Sequence, residues 1–387
     1  MLNKTTLIAG LQYPDLGFLC LHLSIFKKSP DTKKMTLKNI RLLSQQLASP
    51  EFSTPGELVR HMGAVQAQDM AMSLWAVGMR LKKPSRREVM KTLDEGRILR
   101  THVLRPTWHL VHADDIRWML ALSSRRIKAA NESFGASNGV NISRQDLHKC
   151  FNAIEKTLEG GKSKTKAAIA ETLSAEGFKT DAPHINRIMA FTEAEGIICS
   201  GVAEKGKHTY ALLDERVPAT AETSREEALS RLAQMYFRSH SPASVTDFTW
   251  WSGLSATEAK LAVRIIQDEL KTEKFNGREL LIHTSWLSVK AGKKHDTTHL
   301  LPPFDEYLIS YKDRSDVLNA GFFPKAFNNF GIFYPVILHN GQVIGNWIRR
   351  AGKGMPEAGI SFFSDHDRIP CENITAACAR YRSFMED

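Results

Sequence analysis

Two glutamines one residue apart are the polar pair in this chain with the clearest chemical potential. Gln66 and Gln68 stand between small and apolar neighbours in the segment GAVQAQD, residues 63–69. A glutamine amide both donates and accepts hydrogen bonds, so it can hold a water molecule in place although it is no strong base. Such a pair would suit a hydrolase whose substrate needs only an oriented water. Alternatively, both amides satisfy nearby backbone groups, and the segment taken alone favours that structural role.

Other familiar reactive motifs are weak or missing from the sequence. His295 and His299 have the spacing of two metal ligands on a helix, but Pro302 and Pro303 make a long helix there unfavourable and no third ligand is suitably spaced. We therefore expect neither a metal nor a cofactor. None of the five cysteines forms a CxxC pair, which excludes a zinc ribbon and disfavours a disulfide framework. The sequence also lacks a phosphate-binding glycine loop, a GxSxG elbow and a kinase signature.

The elements that must position the glutamines are predicted by capping and periodicity. Thr54 with Glu57 three residues later is a helix start, and Gly63 ends that helix. Residues 70–81 form a second helix, and Ser85 caps a third that runs to about Glu95. Residues 98–111 then read as two short strands joined by a turn. Three helices followed by a two-stranded wing is the element order of a winged helix.

This order recurs along the chain and gives a mainly α fold with β elements, of α+β class. We predict a leader at 1–34, winged helices at 35–143, 144–218 and 219–287, and a small β-rich, barrel-like C-terminal domain at 288–387. Within the last, Asn340-Gly341 is a strong hairpin turn signal. The apolar run 16–26 in the leader is too short to cross a bilayer, and we expect the protein to start at Met35 and to be cytoplasmic, with no membrane partner.

The charge balance favours a polyanionic partner. The chain has 52 Lys and Arg against 42 Asp and Glu, a net charge of +10, which suits nucleic acid but says nothing about the fold. The third helix of a winged helix enters the major groove, and in the second unit it would expose His184, Asn186 and Arg187. A basic cluster near the glutamines could contact phosphates or be a solvated helix face; its members are Arg80, Lys82, Lys83, Arg86, Arg87 and Lys91.

Three segments resemble a known family. Residues 63–69 (GAVQAQD), 105–111 (RPTWHLV) and 300–314 (LLPPFDEYLISYKDR) look like the AlkZ-like bacterial DNA glycosylases, and the likeness extends from about Met35 to the C-terminus. The family is built from tandem winged helices and a C-terminal β-barrel, and its catalytic signature of Gln, an apolar residue and Gln matches Gln66, Ala67 and Gln68. The related YcaQ branch carries Asp at the second polar position, whereas Asp69 here comes one residue too late.

The resemblance implies a monofunctional DNA glycosylase. Its reaction would be hydrolysis of the N-glycosidic bond of alkylated (N7 or N3), bulky or crosslinked purine nucleotides in duplex DNA, with Gln66 and Gln68 positioning the water. Because residues i and i+2 point the same way only in extended or turn backbone, we predict a non-helical link before the helix at Met70, with both side chains facing a concave DNA channel. The family picture also implies a monomer.

Secondary candidates follow from the same segments. Arg105 and His109 on the first wing, together with Arg187, are expected to contact DNA, although His109 could simply pack within the wing. Asp69 and Asp305 are possible supporting residues behind the glutamines, with a structural role at a domain junction favoured for Asp305. The alternative to a glycosylase is a non-catalytic winged-helix DNA-binding protein or regulator.

Overall fold

The computed structural model of the chain describes residues 36–288, 297–351, 356–365 and 369–387. The predicted leader lies outside these residues. The first unit comprises α1 Leu37–Ser44, α2 Pro55–Met62, β1 Val65–Gln66, α3 Met70–Gly78, α4 Arg86–Asp94, β2 Ile98–Val103 and β3 Thr107–His112. Its strands form an antiparallel sheet in the order β1-β3-β2.

Local signals set the ends of these first elements as predicted. The Thr54 hydroxyl accepts a hydrogen bond from the backbone N–H of Glu57 at the start of α2. Gly63 ends the helix with a φ of 77°, a conformation that costs glycine little and other residues much. Ser85 caps α4 in the same way as Thr54 caps α2. The chain therefore turns sharply after α2 and enters β1. Gln66 is the last residue of β1, and Gln68 follows two residues later.

The long helix α5 Ala113–Ser137 follows the first hairpin, and the order of three helices and a hairpin then recurs twice. The second unit contains α6 Arg144–Leu158, β4 Lys164–Thr165, α7 Lys166–Ala175, α8 Ala182–Ala194 and the hairpin β5 Ile198–Ser200 and β6 Thr209–Leu212, followed by the short helix α9 Leu213–Arg216. The third contains α10 Arg225–His240, α11 Val245–Ser252, α12 Ala256–Ile265, β7 Leu270–Phe275 and β8 Arg278–His283. The predicted capping box of Ser255 and Glu258 is present at the start of α12.

The C-terminal part is a sheet with a helix packed on it. Its elements are β9 Thr298–Leu301, α13 Glu306–Ile309, α14 Phe323–Ala326, β10 Val336–His339, β11 Gln342–Ala351, β12 Pro356–Phe362 and α15 Cys371–Glu386. The predicted turn at Asn340 and Gly341 joins β10 to β11, both residues having positive φ.

The predicted barrel is wrong for the described residues. The strand order is β12-β11-β10-β9, and no pairing closes β9 onto β12 there. Four strands are too few to enclose a packed barrel interior. Instead, α15 packs against both β9 and β12. A helix therefore supplies the apolar cover that strand closure would have given.

Trp75 on α3 joins the first unit to the C-terminal sheet. Its side chain is 2% exposed, and its Nε1 donates to the carbonyl oxygen of Leu300 on β9 at 2.8 Å. Its ring packs edge-on against Tyr381 of α15, with 5.5 Å between the ring centroids. Trp75 is therefore a core residue. Because α3 directly follows the glutamines, this anchor ties their position to the C-terminal sheet.

None of the described helices combines the length and the apolar character needed to cross a membrane.

Candidate active site at the Gln-Ala-Gln link

The two glutamines lie on extended and turn backbone. Gln66 is the second residue of β1, opposite His109 of β3 in the antiparallel register. Gln68 lies in the bend that follows, and Asp69 caps α3 by accepting the backbone N–H of Met72 at 3.1 Å. The predicted non-helical link is therefore confirmed, and residues 66–68 are called the Gln-Ala-Gln link below.

The backbone of the Gln-Ala-Gln link is held from three sides. The N–H of Gln66 donates to Glu306 Oε1 at 2.6 Å, and the N–H of Ala67 donates to the carbonyl oxygen of Trp108 at 2.7 Å. The carbonyl oxygen of Ala67 accepts from Arg100 Nε at 3.0 Å, and the guanidinium of Arg100 lies 4.4 Å from the Trp108 ring centroid. These contacts leave the link little freedom, which is the property that a preorganised site requires.

The two glutamine side chains have different surroundings. Gln66 is 5% exposed, and its Oε1 is 3.4 Å from both Arg105 Nη2 and Thr107 Oγ1. Because both neighbours can donate, the amide oxygen rather than the amide nitrogen must face them. Gln68 is exposed to solvent. Gln66 is thus oriented by the protein and Gln68 is free to meet a substrate, while the expected common channel stays a prediction.

His109 lies in the interior behind Gln66. The residue is fully buried, its Nδ1 is 3.0 Å from the carbonyl oxygen of Thr107, and its Nε2 has no hydrogen-bond partner among the described residues. Burial and the charge of Arg105 lower the pKa of His109 to about 3, so the ring is neutral near pH 7. A buried neutral imidazole does not suit the predicted contact with the DNA strand.

Arg105 belongs to a group of cations around Trp250 of α11. The guanidinium of Arg105 is 5.8 Å from the Trp250 ring centroid, that of Arg314 is 5.6 Å away, and Lys312 Nζ is 4.6 Å away. Burial and repulsion from Arg105 lower the pKa of Arg314 to about 10. This group, called the Trp250 cation group below, adjoins the Gln-Ala-Gln link through the contact between Arg105 and Gln66, and it suits a phosphate better than a neutral ligand.

Arg80 does not belong to a surface patch. Its guanidinium is 1% exposed and pairs with both carboxylate oxygens of Asp305, at 2.9 and 2.7 Å. It also donates to the carbonyl oxygens of Gln45 and Ala76. The predicted phosphate contact of Arg80 is incompatible with this position. Asp305 in turn holds α3 against the C-terminal segment, which is the structural role favoured from the sequence.

Arg187 is also an interior residue. It is 8% exposed, and its Nη1 donates to the carbonyl oxygen of Val140 at 2.5 Å. The residue therefore braces α8 against the end of α5 instead of projecting toward DNA. Asn186 is exposed and His184 partly so on the same helix.

The rest of the basic cluster is accessible in part. Lys82, Lys83, Arg87 and Lys91 are exposed, and Arg86 is partly buried. Arg87 is 3.7 Å from Asp387, whose carboxylate also accepts from the Ser85 hydroxyl. The two lysines at 82 and 83 remain the simplest candidates for phosphate contact.

Glu306 is a further candidate site residue, and the sequence pattern does not reveal it. It is 1% exposed and contacts the Gln-Ala-Gln link although 240 positions separate it from Gln66. It lies two residues after Phe304, whose φ of 59° is an outlier for a bulky residue and costs about 1–3 kcal/mol. Its sequence signal is its place in the segment 300–314, directly after Asp305.

The described residues contain no group of three potential metal ligands. His295 lies outside them, and His299 is on the strand β9. The helical spacing that suggested a metal pair therefore does not apply to His299.

Comparisons with known proteins agree on one family. The profile of the AlkZ-like DNA glycosylases matches residues 59–368. A protein of Streptomyces sahachiroi named interstrand DNA cross-link repair glycosylase is 22% identical over 350 residues, which span 88% of this chain and 93% of that protein. The solved structure of the Streptomyces sahachiroi DNA glycosylase AlkZ superposes with a TM-score of 0.73 at 19% identity, covering 90% of this chain and 96% of the other. The chain belongs to the AlkZ-like family of DNA glycosylases.

Proposed function

We propose that this protein hydrolyses the N-glycosidic bond of N7- or N3-alkylated purine nucleotides, bulky and crosslinked ones included, in duplex DNA. Gln66 and Gln68 position the attacking water. The enzyme is monofunctional, because hydrolysis by water leaves an abasic site without breaking the strand.

The chemistry of the substrate explains why amides suffice. Alkylation puts a positive charge on the purine, so the C1′–N bond breaks with its electron pair going to the base, which leaves neutral. The sugar acquires oxocarbenium character, the water oxygen bonds to C1′, and the water proton passes to solvent. Such a reaction needs an aligned water and stabilisation of a cation more than it needs a strong acid.

The observation that carries the proposal is the fixed Gln-Ala-Gln link. Its backbone is bound by Glu306, Trp108 and Arg100, while Gln68 next to it is exposed. A link that served only to connect β1 with α3 would not require three contacts from remote segments. Its geometry suits a site in which an amide must meet a sugar in one orientation.

Duplex DNA is the proposed partner, bound by a monomer. The three repeats of helices and hairpin are proposed to be winged helices, which dock on duplexes. The accessible members of the Trp250 cation group, Lys312 and Arg105, and the pair Lys82 and Lys83 would neutralise phosphates. Arg187 is buried, so the polar residues of α8 that could meet DNA are Asn186, which is exposed, and His184, which is partly exposed.

The substrate range is proposed to include crosslinks. The Streptomyces relative is named for repair of interstrand cross-links, and both proteins are similar over nearly their full lengths. We therefore expect activity on a bulky N7 adduct as well as on a methyl group.

Base release from a duplex with one 7-methylguanine tests the proposal. Alkaline cleavage would reveal abasic sites, and the same duplex without the methyl group is the matched control. We expect cleavage only after methylation, and a duplex with an N7-linked crosslink should be unhooked in the next assay. Duplex binding without release from either alkylated substrate would contradict the proposal and favour a DNA-binding regulator.

A further inference from the structure

Glu306 is a buried carboxylate directly behind the Gln-Ala-Gln link. Its Oε1 accepts the backbone N–H of Gln66 at 2.6 Å. Its Oε2 accepts from Trp251 Nε1 at 3.2 Å and from the Ser310 hydroxyl. Residues from β1, α11 and α13 therefore converge on one side chain that is 1% exposed.

The surroundings of Glu306 keep it ionised. Burial alone would raise the pKa of Glu306, but the neighbouring imidazole of His240 and the Ser310 hydroxyl, which donates to Oε2, lower it to about 2. His240 Nε2 lies 3.7 Å from Oε2, and burial lowers the pKa of this histidine despite the carboxylate. Glu306 therefore carries a negative charge near pH 7 with a largely neutral histidine beside it.

A buried charge of this kind is costly unless it is matched. Arg105 carries a formal positive charge, interacts electrostatically with Glu306 and also contacts Gln66. In the described structure, buried nitrogens of His109, His240 and Arg105 have no hydrogen-bond partner, and all three residues interact electrostatically with Glu306. The carboxylate accepts from donors on both of its oxygens, whereas the single amide oxygen of a glutamine could accept on only one side.

We infer that Glu306 is an electrostatic and positioning residue for glycosidic bond hydrolysis: it fixes the backbone of Gln66, and its negative charge stabilises the cationic sugar against the repulsion of Arg105. This inference rests on the proposed function. Glu306 is not the base that takes the water proton, since it lies behind Gln66 and is closed off from solvent. Its effect on the sugar acts through space, across a medium of low dielectric constant where charges interact strongly.

The substitution Glu306→Gln removes the negative charge of the side chain and nearly keeps its shape. The amide is nearly isosteric and retains an acceptor for the N–H of Gln66, while its NH₂ group faces the Trp251 N–H. We expect the variant to melt at a lower temperature than the wild type because of this unmatched donor pair, to remain folded and to bind the duplex equally well, but to release 7-methylguanine on the order of 10²-fold more slowly in single turnover. Glu269→Gln is the matched control, because Glu269 also faces a histidine, His283, at 3.3 Å but lies away from the Gln-Ala-Gln link; its rate should equal that of the wild type.

A second measurement holds even if Glu306→Gln folds poorly. Wild-type affinity is compared for a duplex with a cationic pyrrolidine abasic analogue and one with a neutral tetrahydrofuran analogue. We expect at least tenfold tighter binding of the cation, and Glu306→Gln should remove this preference without weakening tetrahydrofuran binding. A structural residue would not discriminate between the two analogues.

Two results would overturn the inference. One is a Glu306→Gln variant that releases base at the wild-type rate; the other is equal wild-type affinity for the two analogues. A rate loss matched by lost folding and lost tetrahydrofuran binding would likewise assign Glu306 a purely structural role. Absence of base release by the wild type on every alkylated duplex would instead refute the proposed function itself.

Discussion

Gln66 is positioned by neighbours whose contributions can be separated. Thr107 Oγ1 and Arg105 Nη2 both face its amide oxygen at 3.4 Å, and these two long contacts together orient the Gln66 side chain. A neutral hydrogen bond contributes about 0.5–1.5 kcal/mol, which corresponds to a modest but measurable change in rate. The hydroxyl is the cleaner probe, because Arg105 is also expected to bind phosphate.

Thr107→Val should therefore slow base release about 3- to 10-fold, the rate equivalent of one such hydrogen bond. Valine keeps the shape and loses the donor, whereas Thr107→Ser keeps the donor and serves as the control. Single-turnover rates at saturating enzyme are the appropriate readout, with duplex affinity unchanged. Equal rates for the valine and serine variants would mean that the hydroxyl does not orient Gln66.

The pair Arg80 and Asp305 should matter for stability. Asp305→Ala leaves the guanidinium of Arg80 buried without its carboxylate, and breaking a buried pair costs about 3–5 kcal/mol. Urea unfolding should show this loss, and the double variant Arg80→Leu/Asp305→Leu should recover part of it because no unpaired charge remains. If Asp305→Ala unfolds at the wild-type urea concentration, the pair does not hold α3 in place.

At the scale of elements, Asp69 distinguishes a helix cap from a catalytic support. Its carboxylate accepts the N–H of Met72 at the start of α3. Asparagine caps as well as aspartate, whereas alanine costs about 1 kcal/mol. We expect Asp69→Asn to retain both stability and base release, and Asp69→Ala to lose about that amount of stability. A tenfold slower release by a fully stable Asp69→Asn would show that the charge acts on the reaction.

The elements predicted from the sequence are those that neighbouring residues determine. Thr54, Ser85 and Ser255 cap helices because a side-chain oxygen meets an N–H three residues later, and Asn340-Gly341 turns a hairpin within four residues. The open C-terminal sheet could not be predicted in this way, because its closure depends on whether a helix or further strands cover it.

The roles of Arg80 and Glu306 likewise depend on partners that are distant in the sequence, so neighbouring residues do not predict them. Arg80 precedes two exposed lysines and so resembled part of a basic cluster, but its partner is 225 positions away. Glu306 contacts Gln66 across 240 positions, and the sequence contains no local pattern that reports such a contact. The two candidate glutamines stand out because their signature is contiguous, and their spacing predicts their backbone conformation.

At the scale of the whole molecule, stability should fall as the pH drops below about 6.5. The pKa of His109 is lowered from 6.5 to about 3. Between these pH values the histidine is protonated in the unfolded chain but neutral in the folded chain. Acid therefore favours unfolding between those two values. Glu306 adds to this effect below 4.5, because its pKa is lowered to about 2 and its protonation is more favourable in the unfolded chain.

His109→Gln should make this pH dependence shallower. Between pH 6 and 4 the free energy of unfolding should lose about 1.4 kcal/mol less per pH unit than in the wild type, the effect of one proton. Arg105, Glu306 and His102, which face His109, are unchanged in this variant. Chemical denaturation at a series of pH values provides the test, and parallel curves for both proteins would contradict it.

The net charge of +10 predicts strongly salt-dependent duplex binding. Each phosphate contact contributes a slope of about −0.9 in the plot of log K against log salt. Lys82→Ala/Lys83→Ala should reduce the magnitude of the slope by about 1 to 2 and weaken binding equally on damaged and undamaged duplexes. An unchanged slope would show that Lys82 and Lys83, just before α4, do not contact DNA phosphates.

The most direct test of the central claim is the single-turnover rate of 7-methylguanine release by Gln66→Ala and Gln68→Ala. Gln267→Ala, at an exposed glutamine in the third unit, is the matched control. We predict that both link variants bind the duplex normally and lose release on the order of 10²-fold or more, while the control keeps the wild-type rate. Release at the wild-type rate by both link variants would contradict the assignment of the Gln-Ala-Gln link as the site of hydrolysis.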